Sequence, residues 1–222
     1  MTMFTFALTG TSTGTSTATS TALRGLAAVL TIALAGCATG SKAPAAATYD
    51  FGSPARPIVA TAAAASMPAL VVTDVTGNAA FDSERMYYRL NYADPLQARP
   101  YANSRWSTTP LQLLTQRFKS RVGQAGVKVL SATDASTGVP LLRIDLDDFT
   151  HTFDSTSASY GEVVLRASLF DGRVLADQRT FSRKVAAPTA DAGGGARALA
   201  EATDALAADL IAWLGSAQQR KR

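Results

Sequence analysis

The sequence predicts an α+β fold: a single domain over residues 68–216, an antiparallel β-sheet with two α-helices packed on one face. Three observations carry this. Two long stretches alternate apolar and polar residues with the period of a half-buried strand. In one, Leu142, Ile144 and Leu146 oppose Arg143, Asp145 and Asp147; in the other, Val163, Leu165, Ala167 and Leu169 share a face. The Asp171-Gly172 dipeptide that follows is a strong hairpin signal. Finally, two further stretches space their apolar residues as one face of a helix. About 150 residues suffice for one core, and no internal repeat divides them.

The elements follow in order. Residues 69–77, "ALVVTDVTG", are β-branched and close on a Gly-Asn turn signal. Residues 83–92, "SERMYYRLNY", alternate aromatic and charged side chains and read as a partner strand. A loop rich in Pro, Tyr and Asn is expected from there to Arg105. Thr109 then suits an N-cap and Pro110 a first helical turn, while Leu111, Leu114, Phe118 and Val122 line one face. Gly126 ends that helix. Strands follow over residues 127–131, 141–153 and 159–170, and "RVLADQRTFSRKVA" pairs back after the turn. "DAGGGA" is read as a break and a flexible connection before the last helix, whose stripe is Leu199, Leu206, Leu210 and Trp213.

Upstream of the domain the composition changes. Residues 26–35, "LAAVLTIALA", are apolar, preceded by Arg24 and a Thr/Ser/Gly-rich leader without acidic residues. Ten apolar residues fall short of the roughly 20 that cross a bilayer, and the pattern is that of a secretory signal. Cys37 is the only cysteine, so it makes no internal disulfide. Leu34-Ala35-Gly36-Cys37 looks like a bacterial lipobox, with small residues that let a peptidase close around the modified cysteine. Residues 1–36 are therefore expected to be a lipoprotein signal peptide. Residues 37–67 would be the lipidated N-terminus and an Ala/Pro-rich flexible linker, interrupted by Tyr49-Asp50-Phe51-Gly52; residues 217–222 read as a basic tail.

The lipobox implies a diacylglyceryl thioether on Cys37 and an acylated amino group. One acyl chain binds a membrane marginally, whereas several hold almost permanently. Ala38 stands where Asp would retain the protein at the inner membrane, which favours the outer membrane. Removing residues 1–36 takes away one basic and no acidic residue, leaving a net charge of about +3 from the +4 of the full chain. With no basic cluster, nucleic acid is not an expected partner.

Catalytic chemistry is hard to assemble from these residues. His151 is the sole histidine and reads as solvent-facing or hydrogen-bonded in a structural role. No Gly-x-Ser-x-Gly marks a nucleophile elbow, and a zinc site lacks ligands. Asp145, Asp147 and Asp148 could offer calcium ligands but are better explained as a solvated face beside Arg143. "GGGAR" lacks the Lys-Ser/Thr ending of a phosphate loop. No cofactor, metal or enzymatic activity is expected. The best candidate patch for a protein partner is Tyr101, Arg105 and Trp106, residue types that concentrate in interface hot spots, although Trp106 could equally staple its loop to the core.

"TYDFG" after the cysteine, the aromatic/basic strand, "YANSRWSTTPLQLL", "RIDLDDFTHTFDSTSASYGEVVLRASLFD" and the terminal "LIAWL" occur together in this order. In this the chain resembles the ABC-type transport auxiliary lipoproteins, the group similar to paraquat-inducible protein C, over residues 48–215. Within Tyr101–Leu114 it departs mildly, with Thr109 where a second proline is usual. The resemblance implies an outer-membrane partner of an MCE (mammalian cell entry) lipid transporter. Such a subunit would dock at the far end of a periplasmic MCE tunnel protein fed by an ABC permease and ATPase, as a homo-oligomeric ring, with phospholipid or another apolar molecule as cargo. A structural or regulatory outer-membrane lipoprotein contacting cell-wall enzymes is the alternative.

Overall fold

The computed structural model describes residues 46–53, 69–134 and 137–220. The signal peptide, Cys37 and most of the expected linker lie outside the described residues.

The described elements are β1 (Ala47–Tyr49), β2 (Ala69–Val72), β3 (Thr76–Gly77), β4 (Arg85–Leu90), β5 (Asp94–Trp106), α1 (Pro110–Gln124), β6 (Lys128–Leu130), β7 (Leu141–Phe153), β8 (Ser159–Asp171), β9 (Val174–Ala186) and α2 (Ala192–Arg220). The class is α+β with two helices, and the sheet is mixed. β7 is its spine: β8 pairs antiparallel on one side and β9 follows as the edge, while β2, β3 and β4 each pair parallel on the other side. β6 extends β2 in parallel, and β5 extends β4 antiparallel.

The alternation along β7 and β8 sends Leu142, Ile144, Leu146, Val163, Leu165, Ala167 and Leu169 into the core, against Leu114, Phe118 and Val122 of α1 and Leu199, Leu206, Leu210 and Trp213 of α2. Each such side chain contributes about 1.5–3 kcal/mol when fully buried. A register shift between Leu146 and Asp148 interrupts the period. This bulge inserts one residue, so the inward face switches from even to odd numbers. Phe149, His151 and Phe153 consequently join the apolar side.

Three expectations are corrected. The loop before Arg105 is the 13-residue strand β5. Its composition argued against a strand, but β1 covers its outer side only at Ser104–Trp106. Pro95 and Pro100 therefore sit where that side is an open edge, which tolerates a missing N–H. The glycines expected as a flexible connection are the first turn of α2, with Gly194 and Gly195 buried. Asp191 organises that turn: its Oδ1 accepts from Gly194 N at 2.7 Å, and its carbonyl accepts from Gly195 N at 2.9 Å. Lastly, α2 runs to Arg220, so residues 217–220 continue the helix rather than forming a tail.

The helix ends follow the sequence signals. Thr109 Oγ1 accepts from Gln112 N at 3.3 Å at the start of α1, and Gly126 takes φ +91° just past its end.

Candidate functional site

The residues of the expected linker that are described are tied down in two ways. Tyr49 carries the chain past β5, and Phe51 is buried against Trp106 and Phe149, with ring centroids 5.8 and 6.0 Å away. Arg117 of α1 then reaches over this segment, donating from Nη2 to Phe51 O and from Nη1 to Gly52 O, both at 2.9 Å. Residues 49–52 thus belong to the core and to its edge, not to a linker.

Arg117 is held by the second helix. Positions 117 and 121 lie one turn apart on α1, and both guanidinium groups converge on Asp204 of α2. Arg117 Nε lies 2.8 Å from Asp204 Oδ1, and Arg121 Nη2 lies 2.6 Å from Oδ2. The Arg117 Nε contact is an ion pair without hydrogen-bond alignment. The three side chains are only 7%, 4% and 17% exposed. Two cations share one carboxylate, and the carbonyls of Phe51 and Gly52 take up further Arg117 donors.

A second buried cluster lies where β7, β5 and α2 meet. The Tyr101 hydroxyl lies 2.8 Å from His151 Nδ1, and the Tyr101 ring packs 4.6 Å from that of Tyr88. His151 is fully buried, and its Nε2 has no hydrogen-bond partner among the described residues. Burial lowers its pKa to about 4, so the imidazole is neutral at pH 7; the carboxylate of Asp191 opposes this only in part. Burial likewise pushes the Tyr101 phenol well above its ordinary range.

The first turn of α2 closes on the imidazole. A Cβ at Gly195 would stand 2.3 Å from His151 Nδ1. Gly195→Ala is expected to cost about 1–3 kcal/mol by overpacking, read as a lower urea midpoint at unchanged slope. In a His151→Ala background the penalty should shrink, because the obstructing ring is gone; an undiminished penalty would place the clash elsewhere.

The three residues predicted as a partner patch separate. Trp106 is 1% exposed and packs between Phe51 and Phe149, so it is a core residue. Its position just before the helix cap left both roles open; the aromatic partners that decide between them come from residues 51 and 149. Tyr101 is half-buried, and Arg105 is exposed opposite Arg85. Tyr101, Arg105, Arg85 and Asn103 line a shallow groove of about 520 Å³ beside Ala46. Leu34, Ala35, Gly36 and Cys37 lie outside the described residues.

The other chemically suggestive residues have structural partners. Asp145 Oδ1 accepts from Thr76 Oγ1 at 2.5 Å, Asp147 lies 4.0 Å from Arg166, and Asp148 Oδ1 accepts from Phe149 N and Thr150 Oγ1. Among the described residues, no three His, Cys, Asp or Glu converge to hold a metal ion, and no helix is long and apolar enough to cross a membrane. Sequence reasoning missed the Arg117–Asp204–Arg121 clamp. The i, i+4 arginines were a signal for it, but Asp204 is 83 residues beyond Arg121.

Comparisons with known proteins agree with this architecture. Protein XCC0632 from Xanthomonas campestris, assigned to family DUF330, has a crystal structure similar to this chain at TM-score 0.65 and 19% identity, covering 78% of this chain and 98% of that one. The crystal structure of an uncharacterized protein is similar at TM-score 0.57 and 13% identity, with 76% and 97% covered. At these identities the likeness establishes the fold. No curated protein matches the chain. The family described as "ABC-type transport auxiliary lipoprotein component" matches residues 49–211. That span opens on the Tyr49–Gly52 segment clamped by Arg117 and closes at Ile211 within α2, so it takes in most of the folded domain: the chain belongs to the ABC-type transport auxiliary lipoprotein component family.

Proposed function

We propose that this chain is the lipid-anchored accessory subunit of an MCE-type ABC lipid transport system. Cys37 holds it at the periplasmic face of the outer membrane, and the domain docks the far end of the periplasmic tunnel protein. The observation that supports this is the family match over residues 49–211 directly downstream of a lone cysteine in a lipobox. Burial of acyl chains contributes about 0.8 kcal/mol per methylene, enough with several chains to anchor a domain that has no spanning helix among its described residues. Ala38 favours sorting to the outer membrane. Tyr101 and Arg105 remain the candidate partner contacts; Trp106 is withdrawn, because truncating it would open a cavity in the core.

Mass spectrometry of the mature N-terminus should find Cys37 carrying the diacylglyceryl thioether, and density fractionation should place the protein with outer-membrane markers. A bare sulfur on exported protein would sink the anchor. The mature chain should capture the MCE-domain tunnel protein, more weakly with Arg105→Glu. No capture by either form would count against docking, and co-purification with a cell-wall synthase would transfer the role to that enzyme.

A further inference from the structure

Four large apolar side chains are exposed among the described residues, and they fall into two pairs. Tyr92 (50% exposed) lies in the turn of the β4–β5 hairpin, and Leu96 (88%) lies near the start of β5. Val174 and Leu175 lie at the turn of the β8–β9 hairpin. The pairs occupy opposite ends of the sheet. Leu90, next to the first turn, pairs with Phe153 at the end of β7; Leu141, at its start, pairs with Phe170 beside the second turn.

The direction of β1 distinguishes the two ends. β1 runs parallel to β5, with Ala47 opposite Ser104 and Tyr49 opposite Trp106. The chain therefore enters β1 from the side on which Asp94 and the hairpin tip lie. Ten residue steps separate Cys37 from Ala47, and ten separate Asp94 from Ser104. Ten steps of chain span at most about 33–36 Å, and ten steps of strand rise about 34 Å. The segment between Cys37 and Ala47 is therefore long enough for an anchor at Cys37 to serve the hairpin tip, the side from which the chain enters β1.

We propose that the β4–β5 tip, through Tyr92 and Leu96, is the end of the domain that meets the phospholipid surface, with the β8–β9 turn pointing away from it. This rests on reading Cys37 as the anchor. A Tyr beside an exposed Leu suits the boundary between headgroups and acyl chains, where amphipathic rings concentrate. Charge plays little part in the contact. Around the turn, Arg89 and Arg99 are balanced by Asp94 and by Asp154, whose Oδ1 lies 3.5 Å from Asn91 Nδ2. The surface recognised is lipid in general, not an anionic headgroup.

The test couples the mature chain through its lone thiol at Cys37 to a maleimide lipid in phosphatidylcholine vesicles containing brominated phosphatidylcholine. This supplies the anchor whether or not cells acylate Cys37, so failure of the orientation and failure of the anchor reading stay separate. Trp106 and Trp213 are buried and give a constant background. Leu96→Trp should add emission that is blue-shifted and quenched by bromine, unchanged when phosphatidylglycerol is included, while emission added by Val174→Trp should stay red and unquenched. Quenching only at position 174 would reverse the orientation, and quenching at neither would show that the domain stands clear of the lipid. Either result overturns the proposal, and a requirement for phosphatidylglycerol would overturn its apolar basis.

Discussion

Asp204→Ala is expected to cost about 3–5 kcal/mol of folding stability, because it leaves two buried guanidinium groups facing each other without their carboxylate. Urea denaturation followed by circular dichroism measures it: the midpoint should fall by several-fold more than for Asp74→Ala. Asp74 also accepts an ion pair, from Lys119 at 2.8 Å, but it is 80% exposed. Such surface pairs contribute at most about 1 kcal/mol. Equal effects of the two substitutions would mean that water reaches Asp204 and that the clamp is a surface feature. The loss should spread beyond the helices, since Arg117 also holds the carbonyls of Phe51 and Gly52. Hydrogen exchange near Tyr49 should therefore accelerate in the Asp204→Ala protein.

Acidification should destabilise the protein between pH 6.5 and about 4, with His151 as the group responsible. Its folded-state pKa lies near 4 against an ordinary 6.5. The unfolded chain therefore binds a proton in this range that the folded chain does not, so stability falls as pH falls. At 1.36 kcal/mol per pKa unit, the full effect approaches about 3 kcal/mol as an upper bound. Asp191, whose pKa is lowered chiefly by the Gly194 N–H, acts in the same direction at lower pH. Replacing the imidazole by a ring that does not titrate, His151→Phe, should flatten the curve above pH 4. A slope unchanged in that variant would assign the proton uptake to other groups.

The regular elements are legible wherever their periods run on without a break. β8 alternates from Ser159 to Ala167, and α1 carries a cap, a proline and a terminal glycine where local chemistry wants them. Where the structure departs from these expectations the physical cause is one: tertiary pairing overrides local composition. Pro95, Pro100 and Asn103 disfavour a strand, yet β4 supplies the ladder on one side and the open edge forgives the prolines. Gly193, Gly194 and Gly195 disfavour a helix, yet at 194 and 195 only a residue without a Cβ lets α2 begin against Thr189 and His151. The Phe51–Trp106–Phe149 cluster joins residues nearly a hundred positions apart, one of them turned inward by a bulge that no alternation announces. The lipobox expectation rests on four consecutive residues, Leu34 to Cys37, which lie outside the described residues.

The parallel register of β1 and β5 has a mechanical consequence. A pull on the N-terminal end of β1 along the axis of β5 would load the hydrogen bonds of the short strand together in shear instead of parting them one after another. Arg117, gripping two carbonyls just downstream, acts as a cleat behind them.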